Sequence, residues 1–267
     1  MVPAFNEELW IGRCLDSLAR QETRYSYEVI VVDNNSSDGT AEVAASHPGV
    51  RVVREQRQGL VPSRQAGQSA ATGAVVAHTD ADSELPPDWI ERIGRAFEQR
   101  PELVLASGPM SFANAPRLVR FVQTLLNWAT LIWWLLTRRL GVVNGCNFAV
   151  RATALAEAGG FALEMPETGD SRILSLLKSR GSVRLLRGAA VHTSARRFRG
   201  QGVLHVYLFY FLEQLGSVFG RRLEQVMTTP DFRFPEPVKF GGHRRRRAML
   251  LLPLLPVVAV AAGCTYL

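Results

Sequence analysis

Three short apolar runs do most to limit what this chain can fold into: residues 29–32 (VIVV), 50–53 (VRVV) and 74–77 (AVVA). Each is strand-sized, and the first two are rich in β-branched residues. Stretches with helical spacing lie between them. Leu9, Ile11, Leu15 and Leu18 recur at near-helical intervals, and residues 61–71 form a helix with a small-residue face that Gly73 is expected to stop. Residues 2–4 read as the stub of a further strand. Strands alternating with helices at this spacing predict a mainly parallel α/β sheet flanked by helices.

In such a sheet, ligands bind beyond the carboxyl ends of the strands. Charge gathers at those ends here. Asp33 and Asp38 follow one run, with Thr40 expected to cap the next helix; Asp80, Asp82 and Glu84 follow another. Two acids one residue apart in a loop can hold a hard divalent cation. Mg²⁺ in particular takes one or two carboxylates and completes its shell with substrate phosphates. The competing reading is a turn capped by Asp80 or Asp82 ahead of Pro86-Pro87.

The 267 residues are 47% hydrophobic and 21% charged, a globular rather than disordered balance. The net charge of +7 favours anionic partners such as phosphorylated small molecules or anionic lipid. Much of that charge stands beside the C-terminal segment, so no nucleic-acid partner is expected. Cys14, Cys146 and Cys264 are too few and too far apart for a disulfide framework or a zinc site, and they fit a reducing compartment. The opening MVPAFNEELW has no basic region followed by a long apolar stretch, so no secretory leader is expected.

The second half is less regular. Strands are expected at 104–108, within NGCNFAVRATALAEAGGF and within VRLLRGAAVHTSARRF, and a helix is expected in ETGDSRILSLLKSRG. Residues 118–140 carry no charge between Arg120 and Arg138, which suits an interfacial or a buried helix. Residues 203–225 form a second aromatic-rich helical region. Residues 248–267 carry no charge and follow the basic run HRRRR. Twenty helical residues at ~1.5 Å each just span a ~30 Å hydrocarbon core. Basic residues stay on the cytoplasmic side, so the expected location is the inner (cytoplasmic) membrane with the globular part facing the cytoplasm. A buried core helix is the competing reading.

PAFNEE, VIVVDNNSSDGT, SRQAGQSAATGAVVAHTDADSELPPDW and NGCNFAVRATALAEAGGF occur in one order at workable spacings. As a set they resemble the family 2 glycosyltransferases of the GT-A fold, over roughly residues 1–200. The resemblance implies an inverting transferase with a nucleotide-diphospho-sugar donor and Mg²⁺ or Mn²⁺ as cofactor. It implies that Pro3, Ala4, Phe5 and Glu7 line the nucleotide, that Asp33 hydrogen-bonds the base, and that Arg64 belongs to the donor site. Asp80 would face the ribose and Asp82 the metal. Asp170 aligns with the family's catalytic base, while Gly169 stands where a Glu is usual; Glu167 or Glu164 is then the available substitute, and a helix N-cap the competing role for Asp170. His192 is open between third metal ligand and ordinary histidine. Arg196 and Arg197 are open between a phosphate contact and a solvated basic face. The first strand is shorter than the family's, which suggests a late start site or a clipped strand.

These readings divide the chain into a nucleotide-sugar half (1–110), an acceptor half (111–200), a membrane-proximal helical region (201–247) and a membrane anchor (248–267). The acceptor would be a lipid, a lipid-linked molecule or a glycan. The rival readings are a nucleotidyltransferase that forms nucleotide sugars and a non-catalytic, membrane-anchored binding protein of the same fold. PAFNEELWIG is not the Gly-rich phosphate loop expected of the first rival.

Overall fold

The run at 29–32 lies at the centre of the first sheet. In the computed structural model, which describes residues 1–137, 143–161, 170–196 and 198 (the side chains of 113 and 170–172 excepted), β2 (Val29–Asp33) pairs in parallel with β1 (Val2–Ala4) and β3 (Val50–Arg54). Val2 sits opposite Val31, and Val31 opposite Val52. Helix α1 (Ile11–Ala19) buries Ile11, Leu15 and Leu18, spaced four and three residues apart. Leu9 precedes the helix and is exposed. Helix α2 (Thr40–Ser46) packs on β3, and α3 (Leu60–Ala70) packs on β1 and β2. A Cβ on Gly67 would stand 3.1 Å from Val32 Cγ2, so the small face of α3 permits the close approach.

The second sheet has the order β4-β8-β6-β9: β4 (Val75–His78), β8 (Phe148–Arg151), β6 (Leu103–Ser107) and β9 (Ser182–Leu185). The Met1 ammonium donates to Ala77 O at 2.7 Å, and Thr79 N donates to Met1 O at 3.2 Å, linking the two sheets. The expected mainly parallel sheet is corrected here. β8 runs antiparallel to both β4 and β6, and the architecture is a mixed α/β fold. Hydrophobic runs announce a buried strand but not its direction; just before β8, Asn147 N donates to Asn144 O, and the Asn144 amide donates to Gly108 O at 2.6 Å.

A third, small sheet lies beside the strand ends: β5 (Ser83–Glu84), β10 (Val191–Ser194) and β7 (Met110–Ala113). Its joint with the rest is Asn147, fully buried. Its amide donates to Pro109 O (2.8 Å) and Ala189 O (2.6 Å) and accepts from Trp89 Nε1 (2.9 Å), satisfying both donors. Trp89 opens α4 (Trp89–Glu98), which buries Trp89, Ile93 and Phe97 along one face.

Helix α5 (Arg117–Thr137) covers the expected apolar stretch and packs against β7. It buries Val119, Val122, Gln123 and Trp134, yet Phe121 is 60% exposed, Trp128 58% and Leu136 79%. Short α6 (Ala152–Glu157) and α7 (Asp170–Leu177) complete the described elements, with Ile173 and Leu177 of α7 in the core. Among the described residues no helix is long and apolar enough to cross a membrane. The helical region 203–225 and the anchor 248–267 lie outside the described residues.

Candidate active site

The chain leaves β1 through Asn6 and β2 through Asn35, both left-handed (φ 54° and 64°), a conformation asparagine tolerates better than most residues. The two strand exits tie to each other. Asn6 N donates to Ser36 Oγ (3.0 Å), Ser37 N to Asn6 Oδ1 (2.8 Å) and Glu7 N to Thr40 Oγ1 (2.7 Å). Thr40 was expected to cap α2; it is instead the first helical residue, and its hydroxyl serves the β1 exit.

Asp33 is buried at the end of β2, where its carboxylate accepts from Ser36 N at 3.3 Å. Asn34 lies beside it and is buried too. Its amide donates to Glu55 O (2.9 Å) and Arg57 O (2.7 Å) and accepts from Gly59 N (2.8 Å), binding the segment after β3 to the β2 exit. Only its place in DNNSSDG, where side-chain-to-backbone turns are expected, hinted at this role.

Asp80 and Asp82 lie in the turn between β4 and β5, closed by Ser83 N donating to Asp80 O at 3.1 Å. Asp82 accepts from Thr193 Oγ1 (3.1 Å) on β10 and forms an ion pair with Arg196, whose Nε lies 3.2 Å from its other oxygen. The Arg196 guanidinium also forks onto Glu7, with Nη1 at 2.7 Å from Oε2 and Nη2 on Oε1. Three strand exits distant in sequence thus meet at one arginine. Burial pushes the Glu7 carboxyl up to about 7. Its pairing with Arg196 opposes that rise, and the Asp82 and Asp80 charges add to it.

The other expected residues fall as follows. Pro3 and Ala4 are on β1, with Phe5 next to them. Arg64 is buried in α3; its Nη2 donates to Gly145 O at 3.2 Å, and its guanidinium lies 5.2 Å from the Phe148 ring centroid. Phe148 stacks on His78, which is fully buried among apolar groups; that desolvation, aided by the Arg64 charge, holds its pKa well below the ordinary 6.5. His192 is exposed, with Nδ1 2.5 Å from Ser111 Oγ, and it lines an open pocket with Asp82, Glu84, Trp10 and Arg13. Asp170 is the first residue of α7, a helix that packs on β6. Glu164, Glu167 and Arg197 lie outside the described residues. Trp10, Thr193 and Asn147 are the further residues that only the structure draws to the site or its support.

Residues 1–158, more than half of the chain, match the family model described as Glycosyl transferase family 2. The chain belongs to that family. Among curated relatives, glycosyltransferase AglE of Haloferax volcanii is 33% identical over 98 residues, covering 34% of this chain and 32% of that protein. An uncharacterized glycosyltransferase of Mycobacterium bovis is 32% identical over 129 residues, covering 48% and 56% respectively. The family 2 chain therefore spans between about a third and a little over half of these relatives. Among solved structures, the mannosyltransferase PcManGT of Pyrobaculum calidifontis, in complex with GDP-Man and Mn²⁺, superposes with a TM-score of 0.65 at 18% identity, covering 98% of this chain and 68% of that one. S. aureus TarS 1-349 in complex with UDP-GlcNAc gives a TM-score of 0.57 at 17% identity, covering 84% and 67%. At these identities the likeness is one of fold.

The donor set of this family 2 site suits a hard divalent cation in a particular way. Asp80 and Asp82 supply carboxylate oxygens on one short turn. Among the described residues no three His, Cys, Asp or Glu side chains gather as a ready-made cage. Two carboxylates fit a cation whose remaining ligands are phosphate oxygens and water, the usual habit of Mg²⁺.

Proposed function

We propose that this chain is an inverting glycosyltransferase that moves a sugar from a nucleotide-diphospho-sugar onto an acceptor hydroxyl or lipid phosphate. The observation that carries this reading is the convergence of Glu7, Asp33, Asp80 and Asp82 at neighbouring strand exits of a family 2 fold. Asp33 accepts a hydrogen bond from the base, and Asp80 faces the ribose. Asp80 and Asp82 would hold a divalent cation, which when bound would supply positive charge to the departing nucleoside diphosphate. Asp170 takes the acceptor proton while the acceptor oxygen bonds the sugar carbon and the carbon–phosphate-oxygen bond breaks.

The enzyme works at the cytoplasmic face of a membrane. Leu118, Phe121, Leu125, Trp128 and Ile132, three and four residues apart, line the solvent face of α5. The helix contains no acidic residue and has Arg117 and Arg120 at its start. Such a face suits the plane of an anionic bilayer. α5 packs on β7, in the same small sheet as Thr193, so a bilayer there lies beside the site and a lipid-borne acceptor is in reach.

Calorimetry with nucleoside diphosphates and nucleotide sugars, UDP- and GDP-linked ones included, tests the reading in Mn²⁺ and then in EDTA. Binding of one nucleotide that EDTA abolishes is expected. No binding by folded protein would favour a non-catalytic binding protein.

A further inference from the structure

Arg196 is placed with care for a residue just outside a strand. Ala195 and Phe198 on either side are buried against Val119 of α5, and Phe198 packs edge-on to Phe112 of β7 at 4.7 Å. The Arg196 side chain is only 25% exposed and lies 5.7 Å from the Trp10 ring centroid. From there one guanidinium serves two acids. Its fork holds Glu7, and Nε stands in an ion pair with Asp82 at 3.2 Å. Thr193 occupies the other Asp82 oxygen. Both oxygens of the carboxylate proposed to ligate the cation are therefore engaged by the protein itself. The site balances a cluster of carboxylates with an internal positive charge at the position a cation would neutralise.

Resting on the donor-site reading above, we propose that Arg196 is an internal counter-ion that a divalent cation must displace from Asp82, and that the displaced guanidinium donates to the donor's diphosphate. The Glu7 and Asp82 contacts of Arg196 are separable. The fork on Glu7 is bidentate and charge-assisted, whereas the Asp82 contact is a single ion-pair approach of Nε at 3.2 Å. Release of Asp82 thus leaves Arg196 anchored on Glu7. A bare cation meets a like charge at this position. A cation carrying a diphosphate brings negative oxygens that the same guanidinium can bind. The arrangement disfavours metal alone and favours metal with donor, a linkage in which each ligand raises the affinity of the other.

The test is Mn²⁺ binding to the full chain in detergent, by electron paramagnetic resonance, for the parent and for Arg196→Gln. Without nucleotide, Arg196→Gln is expected to bind Mn²⁺ about tenfold more tightly, because a like charge close to the cation is gone. With saturating Mn²⁺, the UDP or GDP that the parent binds is expected to bind the variant about tenfold more weakly, because a charge-assisted phosphate contact is lost. A merely structural role predicts looser Mn²⁺ binding in the variant. Unchanged or weaker Mn²⁺ affinity in Arg196→Gln, beside a parent that binds Mn²⁺, overturns the proposal and leaves the donor site standing. A folded parent that binds neither Mn²⁺ nor a Mn²⁺–nucleotide complex overturns the donor-site reading and this proposal with it. Should Arg196→Gln fail to fold, Arg196→Lys keeps the charge but not the Nε–H. It is expected to bind Mn²⁺ two- to threefold more tightly, and an affinity equal to the parent's overturns the proposal.

Discussion

Replacing Asn34 by alanine tests whether its side chain braces the segment after β3 against the β2 exit. Asn34 is buried, and its side chain makes three hydrogen bonds to backbone: to Glu55 O, to Arg57 O and from Gly59 N. Its own backbone bonds, from its N to Ala4 O and to its O from Gln58 Nε2, survive the change. At about 1 kcal/mol for each lost bond, Asn34→Ala should cost about 3 kcal/mol, a large share of a typical domain's stability. For a domain of this size that corresponds to a fall in Tm of about 6–12 °C. Asn34→Asp retains the acceptor for Gly59 N but sets a carboxylate oxygen against two carbonyls, so it should be at least as damaging. The same segment touches Asp33, the residue proposed to bind the base, because Glu55 N donates to Asp33 O at 2.9 Å. Donor nucleotide affinity should therefore fall in both variants. Thermal melting by circular dichroism and nucleotide calorimetry read the two effects. A Tm within about 1 °C of the parent would refute the bracing, since water would then be satisfying those groups as well as Asn34 does.

Three further outcomes are expected. His78 resists protonation in the fold and accepts a proton near pH 6.5 when unfolded, so its contribution is complete above that pH and is lost as pH falls through the range below it, by up to about 1.4 kcal/mol per unit. The stability difference between parent and His78→Phe should change with that slope below pH 6.5, and a pH-independent difference in denaturant melts would contradict it. Asp170→Asn should leave donor binding intact and abolish transfer, as read by calorimetry and a turnover assay; near-normal kcat would remove Asp170 as the base. A fluorophore on Phe121→Cys, in a Cys264→Ser background, should be quenched by spin-labelled lipid in anionic vesicles. No quenching there, or equal quenching in neutral vesicles, would count against α5 lying on an anionic bilayer.

Much of the scaffold is legible locally. β-branched runs became β2 and β3, and the spacing of Ile11, Leu15 and Leu18 became the buried face of α1. The acids expected at strand ends do lie there: Asp33 closes β2, and Asp80 and Asp82 follow β4. Where the local signal failed, a distant partner had outcompeted it. Thr40 gave its hydroxyl to Glu7 N rather than to a cap. The helix expected over 61–71 ends at Ala70, three residues before the glycine expected to stop it, and Ala71 is already extended.

The sequence alone determined the family, the alternation of elements and the list of acids, since periodicity and motif spacing act between near neighbours. Tertiary structure decided the direction of β8, the burial of Arg64 and His78, and the exposure of one face of α5. It also decided that Arg196 would join Glu7 to Asp82. An ion pair spanning the chain from residue 7 to residue 196 leaves no periodic trace. It forms because β10 is delivered beside β5 by Asn147 and the buried Phe198, and only the packed fold brings those groups within reach of one another.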